Sequence, residues 1–249
     1  MIQFTPTTIL QHVKNFFVAA MMALLVLVPT AGFADDWVAE QLRGRVFMFD
    51  NGEWKALERG DVISDDRYIR TTGGGRVTFV RGNESIEVSN QTQIRILDAN
   101  GTKYTTVMQD FGTVGIEAEV EQVQHFSVVT PFLAAVVKGT QFTVTVSEND
   151  SEVSVNRGLV QVRDTQNRVM TNVRPGQRAN VQRGRKMEVQ GRGPKEPMTT
   201  FDGEEMSDSE VDDAVAKANG NNGNGNGNSG NNGNGNGNSG NNGNGNGNS

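Results

Sequence analysis

Hydrophobic and polar residues alternate one by one through most of the chain between Arg43 and Val189. In each alternating segment, large apolar residues are separated by single polar residues, which is the pattern of a strand with one buried face. Turn-forming residues such as Asn-Gly and Pro-Gly separate these segments at intervals of roughly eight to twelve residues. The clearest segments are 77–79, 86–88, 94–96, 142–146, 153–155 and 160–162. The pattern predicts about a dozen short strands and no helix in this region.

Many short strands at regular spacing are typical of an all-β sandwich, a barrel or a solenoid. Because the chain contains no cysteine, its core rather than disulfide bonds must hold the domain together. Residues 35–193 are enough for one domain with a sizeable core. No sequence repeat inside these residues indicates a solenoid, although short strands and frequent glycines would suit one. We therefore predict one all-β domain over residues 35–193, either a sandwich or solenoid-like.

The first 34 residues have the organisation of a secretory signal peptide. A polar region with Lys14 precedes an apolar run over residues 16–28, and small residues follow before Asp35. The run is shorter than the ~20 residues that a membrane-spanning helix needs, and no later segment of the sequence is apolar enough to span a bilayer. Residues 1–34 are predicted to be removed on export, which places the protein in the periplasm, outside the cell or on its surface. An uncleaved N-terminal anchor is the alternative.

The segment after residue 193 has a different composition. Residues 194–218 are predicted to be an acidic linker with a short helix, because Ser207 and Glu210 have the spacing of a capping box. We expect about eleven residues in this helix, with Gly220 as its stop. Residues 219–249 repeat Asn, Gly and Ser and contain no apolar or charged side chain. This tail cannot form a core and is predicted to be disordered, as a flexible spacer.

Charge is distributed unevenly along the chain. It has 23 basic and 29 acidic residues, and seven of the acids lie between Asp202 and Asp213. Residues 35–201 are nearly neutral, with 21 basic and 22 acidic residues, which argues against a nucleic-acid partner. A basic run between Arg174 and Lys195 is interpreted as a solvated face rather than an anion site.

Candidate catalytic residues are few. Lys138-Gly139-Thr140 does not have the residue order of a phosphate-binding loop, because its lysine precedes the glycine. His125 is the only histidine outside the predicted signal peptide, and with no cysteine the chain lacks ligands for zinc or copper. We expect no cofactor, no metal site and no catalytic residues.

Glu117, Glu119 and Glu121 are the remaining candidates for chemistry. Their spacing of two would place all three carboxylates on one face of a strand. Such a row could collect a cation or supply the acid of a glycosidase. A charged row also prevents a strand edge from pairing with other strands, and this second interpretation is favoured.

Several motifs over roughly residues 44–182 resemble the FecR domain family. The most specific is TPxxAxVxxGTxFxV, which spans residues 130–144. The resemblance implies an all-β, solenoid-like module outside the cytoplasm; in the iron-dicitrate regulators of the family, this module senses a partner receptor and relays the signal inward. The family-motif positions, which we interpret as structural, are Gly60, Asp61, Arg70, Thr71, Thr130, Pro131, Gly139, Thr140, Phe142, Gly158, Pro175, Gly176 and Gln177.

The chain departs from those regulators at its N-terminus. Fifteen residues precede the apolar run, too few for their cytoplasmic anti-sigma segment, so the relay is not expected here. The leading hypothesis is an exported, non-enzymatic module that binds an envelope protein or polymer. One alternative is a structural cell-surface or matrix protein with the Asn-Gly tail as its spacer. The other is a carbohydrate-active enzyme that uses carboxylates.

Overall fold

A computed structural model of the protein describes residues 36–63, 66–98 and 104–220. The predicted signal peptide, and the Asn/Gly/Ser repeat from residue 221 onward, lie outside these residues. No helix among the described residues is long and apolar enough to cross a membrane.

The described residues form sixteen β-strands, joined in one hydrogen-bonded sheet, and one helix near the C-terminus. The first eight strands are β1 Trp37–Asp50, β2 Glu53–Ala56, β3 Val62–Ile63, β4 Arg67–Arg81, β5 Glu84–Val88, β6 Gln93–Asp98, β7 Thr105–Glu117 and β8 Phe126–Val129. The other eight are β9 Leu133–Val137, β10 Gln141–Val146, β11 Asp150–Arg157, β12 Val160–Asp164, β13 Val169–Val173, β14 Gln177–Gln182, β15 Glu188–Gly191 and β16 Thr199–Thr200. The helix is α1, Asp208–Gly220. The prediction of an all-β fold with one short C-terminal helix is therefore confirmed.

Three long strands bend in the middle, and these bends fold the sheet onto itself. They lie at Gly44 in β1, at Gly73-Gly74 in β4 and at Gly112 in β7, where each glycine has a φ between 56° and 92°. A side chain at Gly112 would collide with its neighbour, because a Cβ there would lie 2.5 Å from the Thr92 Cα. Strand partners change at the bend: the first half of β7 pairs with β6 and β8, and its second half pairs with β5 and β10.

We call the two halves of the folded sheet half A and half B. Half A contains β2, β6, β8, β9, β12, β13 and β16, with the second half of β1 and the first halves of β4 and β7. Half B contains β3, β5, β10, β11, β14 and β15, with the other halves of the three long strands. Paired strands of the described sheet are antiparallel except β7 and β8. Of the two predicted alternatives, this topology has the form of a sandwich, and it does not show a solenoid.

The core lies between half A and half B. All the large apolar residues of the six alternating segments are buried, as the period-two pattern predicts. The Trp37 ring of half B meets the Phe126 ring of half A edge-on, with centroids 6.3 Å apart. The Gln109 side chain of half A donates a hydrogen bond to the Val144 carbonyl of half B, 3.2 Å away. The two halves therefore pack face to face.

The segment after residue 193 lies against the β-domain. Strand β16 extends half A by pairing with β13. The Val211 side chain of α1 is 2% exposed, and Met206 packs against the core. Lys186 Nζ lies 3.1 Å from Asp212 Oδ1, and this hydrogen bond raises the pKa of Lys186. The domain boundary at residue 193 stays a prediction, but the segment beyond it is not detached.

Helix α1 begins with a capping box. The Ser207 backbone N–H donates to Glu210 Oε2 at 2.8 Å, and the Glu210 N–H donates to Ser207 Oγ at 3.4 Å. The first of these hydrogen bonds lowers the pKa of Glu210. The helix has 13 residues and includes Asn219 and Gly220, so it is longer than expected and Gly220 is its last residue.

Candidate functional site

The Thr130-Pro131 turn of half A is held against half B by a hydrogen bond between side chains. It connects β8 to β9, and Pro131 at its tip is exposed. Thr130 Oγ1 accepts hydrogen bonds from the backbone N–H groups of Phe132 and Leu133, at 3.2 and 3.0 Å. The same oxygen accepts a hydrogen bond from Ser151 Oγ on β11, at 2.9 Å. These contacts hold a turn of half A against a strand of half B.

Lys138-Gly139-Thr140 supports the loop of residues 118–125, which follows β7. The Lys138 carbonyl accepts a hydrogen bond from the Glu121 N–H at 2.7 Å, while the Lys138 side chain is exposed. Gly139 lies so close to the loop that a Cβ at its position would be 2.4 Å from the Val120 Cα. The triplet therefore holds the loop in place through one backbone hydrogen bond and close packing.

Gly158 allows a second loop to pack against the same triplet. It lies in the β11–β12 turn with a φ of 84°, and a Cβ there would lie 2.6 Å from Thr140 Cγ2. The turn therefore packs directly on Thr140, and the next residue, Leu159, lies beside the loop of residues 118–125. Phe142, two residues beyond Thr140, is 1% exposed and anchors β10 in the core.

Three exposed aliphatic side chains lie on these two loops. Val120 is 78% exposed, Val123 66% and Leu159 48%, and we call these three residues the apolar patch. Val120 and Leu159 line a depression of about 300 Å³, which is also lined by the buried Val136. An apolar centre with a polar rim is typical of protein–protein interfaces. The polar side chains of this rim are Glu121, Gln124, Lys138, Gln161 and Asn172.

A buried charged cluster fixes the far end of the loop that carries Val120 and Val123. His125 is 5% exposed, and its Nε2 lies 3.0 Å from Glu84 Oε1. Its Nδ1 lies 3.3 Å from the Val123 carbonyl oxygen. Glu84 also pairs with Arg81, whose guanidinium lies 2.8 Å from the Glu84 carboxylate and 2.9 Å from that of Asp98. The loop is therefore held at both ends.

Sequence reasoning placed His125 at the start of a strand and missed this cluster. His125 directly precedes β8, but its partner Glu84 is 41 residues away, and no local spacing links the two. The available signal was the pair Arg81 and Glu84, which flank the Gly82-Asn83 turn. Opposite charges at such positions can pair across a hairpin.

The three glutamates with a spacing of two do not form a row. Only Glu117 lies in a strand, since β7 ends there, and it pairs with Arg157 at 3.0 Å. Glu119 and Glu121 lie in the loop, where the Glu119 carboxylate accepts a hydrogen bond from Asn83 at 3.0 Å. The expectation of three carboxylates on one strand face is wrong, because the chain leaves the sheet after residue 117. Within the described ranges, no group of three or more Asp, Glu or His side chains is placed to hold a metal ion.

Two pairs of family-motif residues stabilise local structure: Gly60-Asp61 forms the β2–β3 turn, and Arg70-Thr71 joins β4 to β2 and to the β5–β6 connection. The Asp61 carboxylate accepts a hydrogen bond from the backbone N–H three residues earlier, at 2.8 Å, in a turn where Gly60 has a φ of 92°. Thr71 is buried, and its Oγ1 accepts a hydrogen bond from a backbone N–H of the β5–β6 connection at 2.9 Å. The Arg70 guanidinium stacks on the Trp54 ring, 4.7 Å from its centroid.

The last motif, Pro175-Gly176-Gln177, ties down the segment that leaves β15. Gln177 is 2% exposed, and its Oε1 accepts a hydrogen bond from the Arg174 N–H at 3.0 Å. Its Nε2 donates to the carbonyls of Arg192 and Pro194, both at 3.0 Å. One buried amide thus joins the β13–β14 turn to the chain that continues toward α1.

Gly139→Ala is expected to lower the free energy of unfolding by about 2–4 kcal/mol. The φ of 146° disfavours a side chain, and the added Cβ would lie 2.4 Å from the Val120 Cα, so the loop backbone would have to shift. Gly176→Ala is the matched control, because Gly176 has a φ of 78° but no atom within 4 Å of the added Cβ; it should lose about 1–2 kcal/mol.

Urea unfolding measures both glycine variants beside Lys138→Ala, which should stay within about 0.5 kcal/mol of wild type because the side chain is exposed. Equal losses in the two glycine variants would show that close contact with the loop contributes nothing. A larger loss of unfolding free energy in Lys138→Ala than in Gly139→Ala would contradict the inference that the triplet supports the loop through its backbone.

Residues 67–161 match the family model described as FecR protein. The predicted resemblance to FecR domains is therefore confirmed over these residues, which include Lys138-Gly139-Thr140 and the whole apolar patch. Two crystal structures of a "putative anti-sigma factor" from Parabacteroides distasonis ATCC 8503, at 1.65 and 2.50 Å resolution, are similar to the chain with a TM-score of 0.45 and 16% sequence identity. Each similarity covers 50% of this chain, which spans 59% of the length of that protein. No curated protein gives a significant match.

Proposed function

We propose that the protein is an exported, non-enzymatic module that binds another protein of the cell envelope through the apolar patch. The match to the FecR family supports a binding domain of the sensor type. The observation that carries the proposal is the exposure of Val120, Val123 and Leu159 on loops whose positions are fixed by the fold.

The loop that carries Val120 and Val123 is preorganised by hydrogen bonds to the rest of the fold. Its Glu121 N–H donates a hydrogen bond to the Lys138 carbonyl, and the His125 ring at its end is hydrogen-bonded to the Glu84 carboxylate. Less conformational entropy is therefore lost on binding than for a free loop. Full burial of a valine or leucine side chain contributes about 1.5–3 kcal/mol, so burial of these exposed side chains by a partner would stabilise the complex.

Thr140 adds a polar element to the same depression. Its side chain is 1% exposed and lines the depression, and its Oγ1 has no hydrogen-bond partner among the described residues. A buried hydroxyl without a partner costs stability.

The chemistry of the patch favours a protein over an envelope polysaccharide. A polysaccharide presents mainly hydroxyl groups, which the polar rim could bind but which do not match the exposed Val120 and Leu159 side chains at the centre of the depression. An apolar side chain of a protein fits the depression without this mismatch. The rim then offers Lys138 and Glu121 as charged groups of both signs, which is suited to a polar interface edge.

Export and the absence of catalysis are proposed from the sequence. Residues 1–34 have the pattern of a signal peptide, and this segment lies outside the described residues. Outside that segment the chain has one histidine and no cysteine, and His125 is engaged with Glu84 below the loop. A binding role uses the residues that are exposed at the patch and requires no reactive group.

Two patch substitutions and a matched control test the proposal. Val120→Asp and Leu159→Asp should leave the free energy of unfolding within about 1 kcal/mol of wild type, because both side chains are exposed. Each should weaken binding roughly tenfold or more. Val62→Asp is the control, since Val62 is also exposed, at 50%, but lies outside the patch. The partner is captured from solubilised envelopes with the wild-type protein, purified and titrated by calorimetry.

Full affinity in both patch variants would contradict the proposal. Equal weakening by Val62→Asp would show that the loss is not specific to the patch. A protein that sediments with envelope polymer, with no dependence on Val120 or Leu159, would instead support the structural alternative.

A further inference from the structure

A second surface lies where α1 meets the ends of β12 and β14. It is a groove of about 1230 Å³, and it shares no lining residue with the depression at the apolar patch. Three cations line it, Arg168, Arg183 and Lys217, with a single carboxylate, Asp202; we call it the basic groove. The apolar part of its lining consists of Phe201, Met206, Ala214 and Ala218.

The cations of the basic groove are available to a ligand. Within the described residues, none of the three takes part in an ion pair. The Arg168 guanidinium lies 5.4 Å from the Phe201 ring centroid, and that of Arg183 lies 5.7 Å from the Phe132 ring centroid. Stacking of this kind holds a guanidinium in place and leaves its N–H groups free to donate.

Arg168 is held in a backbone conformation that favours glycine or asparagine. Its φ is 59°, in the left-handed region that L-residues with a long side chain adopt only with backbone strain. The turn fixes it there, because its N–H donates to the Asp164 carbonyl at 3.0 Å. The buried Asp164 carboxylate, whose pKa is raised by burial, also accepts hydrogen bonds from Asn167. The turn therefore fixes the backbone from which the Arg168 side chain reaches the groove.

We propose that the basic groove binds an extended acidic peptide segment of a partner protein. A carboxylate of the segment would receive two hydrogen bonds from a guanidinium of Arg168 or Arg183. Apolar side chains next to the acids would contact Phe201 and Met206. The C-terminal end of α1 and Asp202 are negative, so the acids bind on the arginine side. This site is additional to the proposed function and does not depend on the apolar patch.

Other occupants match the groove less well. The chain continues from Gly220, which lines the groove, but residues 221–249 contain no acidic and no apolar side chain. A polyanionic polysaccharide would pair with the arginines and leave the apolar lining in contact with water. Only a ligand with both carboxylates and apolar groups satisfies both parts of the lining.

A library of random peptides, displayed on phage and selected on the full chain, tests the proposal. We expect the enriched peptides to combine Asp or Glu with large apolar residues. Synthesised and labelled, they should bind Arg168→Glu and Arg183→Glu roughly tenfold or more weakly in fluorescence anisotropy. Arg178→Glu is the matched control, because Arg178 is exposed on β14 but does not line the groove, and it should bind like wild type.

Arg168→Asn separates binding from stability. Asparagine tolerates the left-handed conformation, so this variant should keep or raise the thermal midpoint while it weakens binding. Enrichment of neutral or basic peptides, or unchanged binding in the two Arg→Glu variants, would overturn the proposal. So would equal binding of peptides whose apolar residues are replaced by serine, because the groove would then be a general polyanion site. Binding that Val120→Asp abolishes and Arg183→Glu does not would assign the peptides to the apolar patch and also overturn it.

Discussion

Arg81→Met is expected to lower the free energy of unfolding by about 3–5 kcal/mol. The Arg81 side chain is 10% exposed and lies 2.8 Å from the Glu84 carboxylate, and its guanidinium stacks 4.5 Å from the Trp37 ring centroid. Methionine replaces most of the volume but removes the charge that compensates a buried carboxylate. Urea unfolding followed by tryptophan fluorescence measures the loss.

Arg67→Met is the matched control for this substitution. Arg67 also pairs with a carboxylate, Asp50 at 3.2 Å, but its side chain is 37% exposed, and such pairs contribute at most about 1 kcal/mol. Adding Glu84→Met to Arg81→Met should recover part of the loss, since it removes the uncompensated charge. Similar losses in the two single variants would contradict the buried character of the cluster.

Phe142→Ala is the second substitution with a large expected effect, a loss of about 3–5 kcal/mol in the free energy of unfolding. Phe142 is 1% exposed in the core between the two halves, and alanine would leave a cavity there. Phe111→Ala is the control, because Phe111 is 40% exposed and should lose about 1 kcal/mol or less. Equal losses in the denaturant titrations of the two variants would show that Phe142 does not anchor the core.

The strands and their buried faces could be predicted from the sequence because alternation encodes burial directly. Phe142, Val144 and Val146 were expected to share a buried face, and all three lie in the core. The same reasoning held for Val153 and Val155, which lie on the neighbouring strand β11. In each case the alternation within a single strand predicts which side chains face the core, so the prediction requires no knowledge of contacts with distant residues.

The arrangement of strands could not be predicted in the same way. Strand β7 changes partners at Gly112 and pairs in parallel with β8, and nothing in the local pattern specifies either event. Such pairings depend on contacts between residues far apart in the chain. The same limit applies to the pair of Glu84 and His125, whose members come together only when the sheet folds.

The candidate site was missed because its residues continue the alternating pattern after the strand has ended. Val120 stands between Glu119 and Glu121, so a strand reading would bury the valine and expose the acids. In the structure Val120 is 78% exposed. The reason lies in the backbone: β7 ends at Glu117, and in the loop that follows the Glu121 N–H donates a hydrogen bond to the Lys138 carbonyl while Val120 packs against Gly139.

Photocrosslinking from position 120 tests whether the patch meets a partner in the cell. A photoreactive phenylalanine analogue replaces Val120 in one strain and Val62 in another, and adducts of the protein are detected after irradiation of intact cells. A protein adduct of defined mass from position 120, lost when Leu159→Asp is added, and no such adduct from position 62, is the expected result. The same adducts from both positions, or an adduct from position 62 alone, would contradict a binding role for the patch.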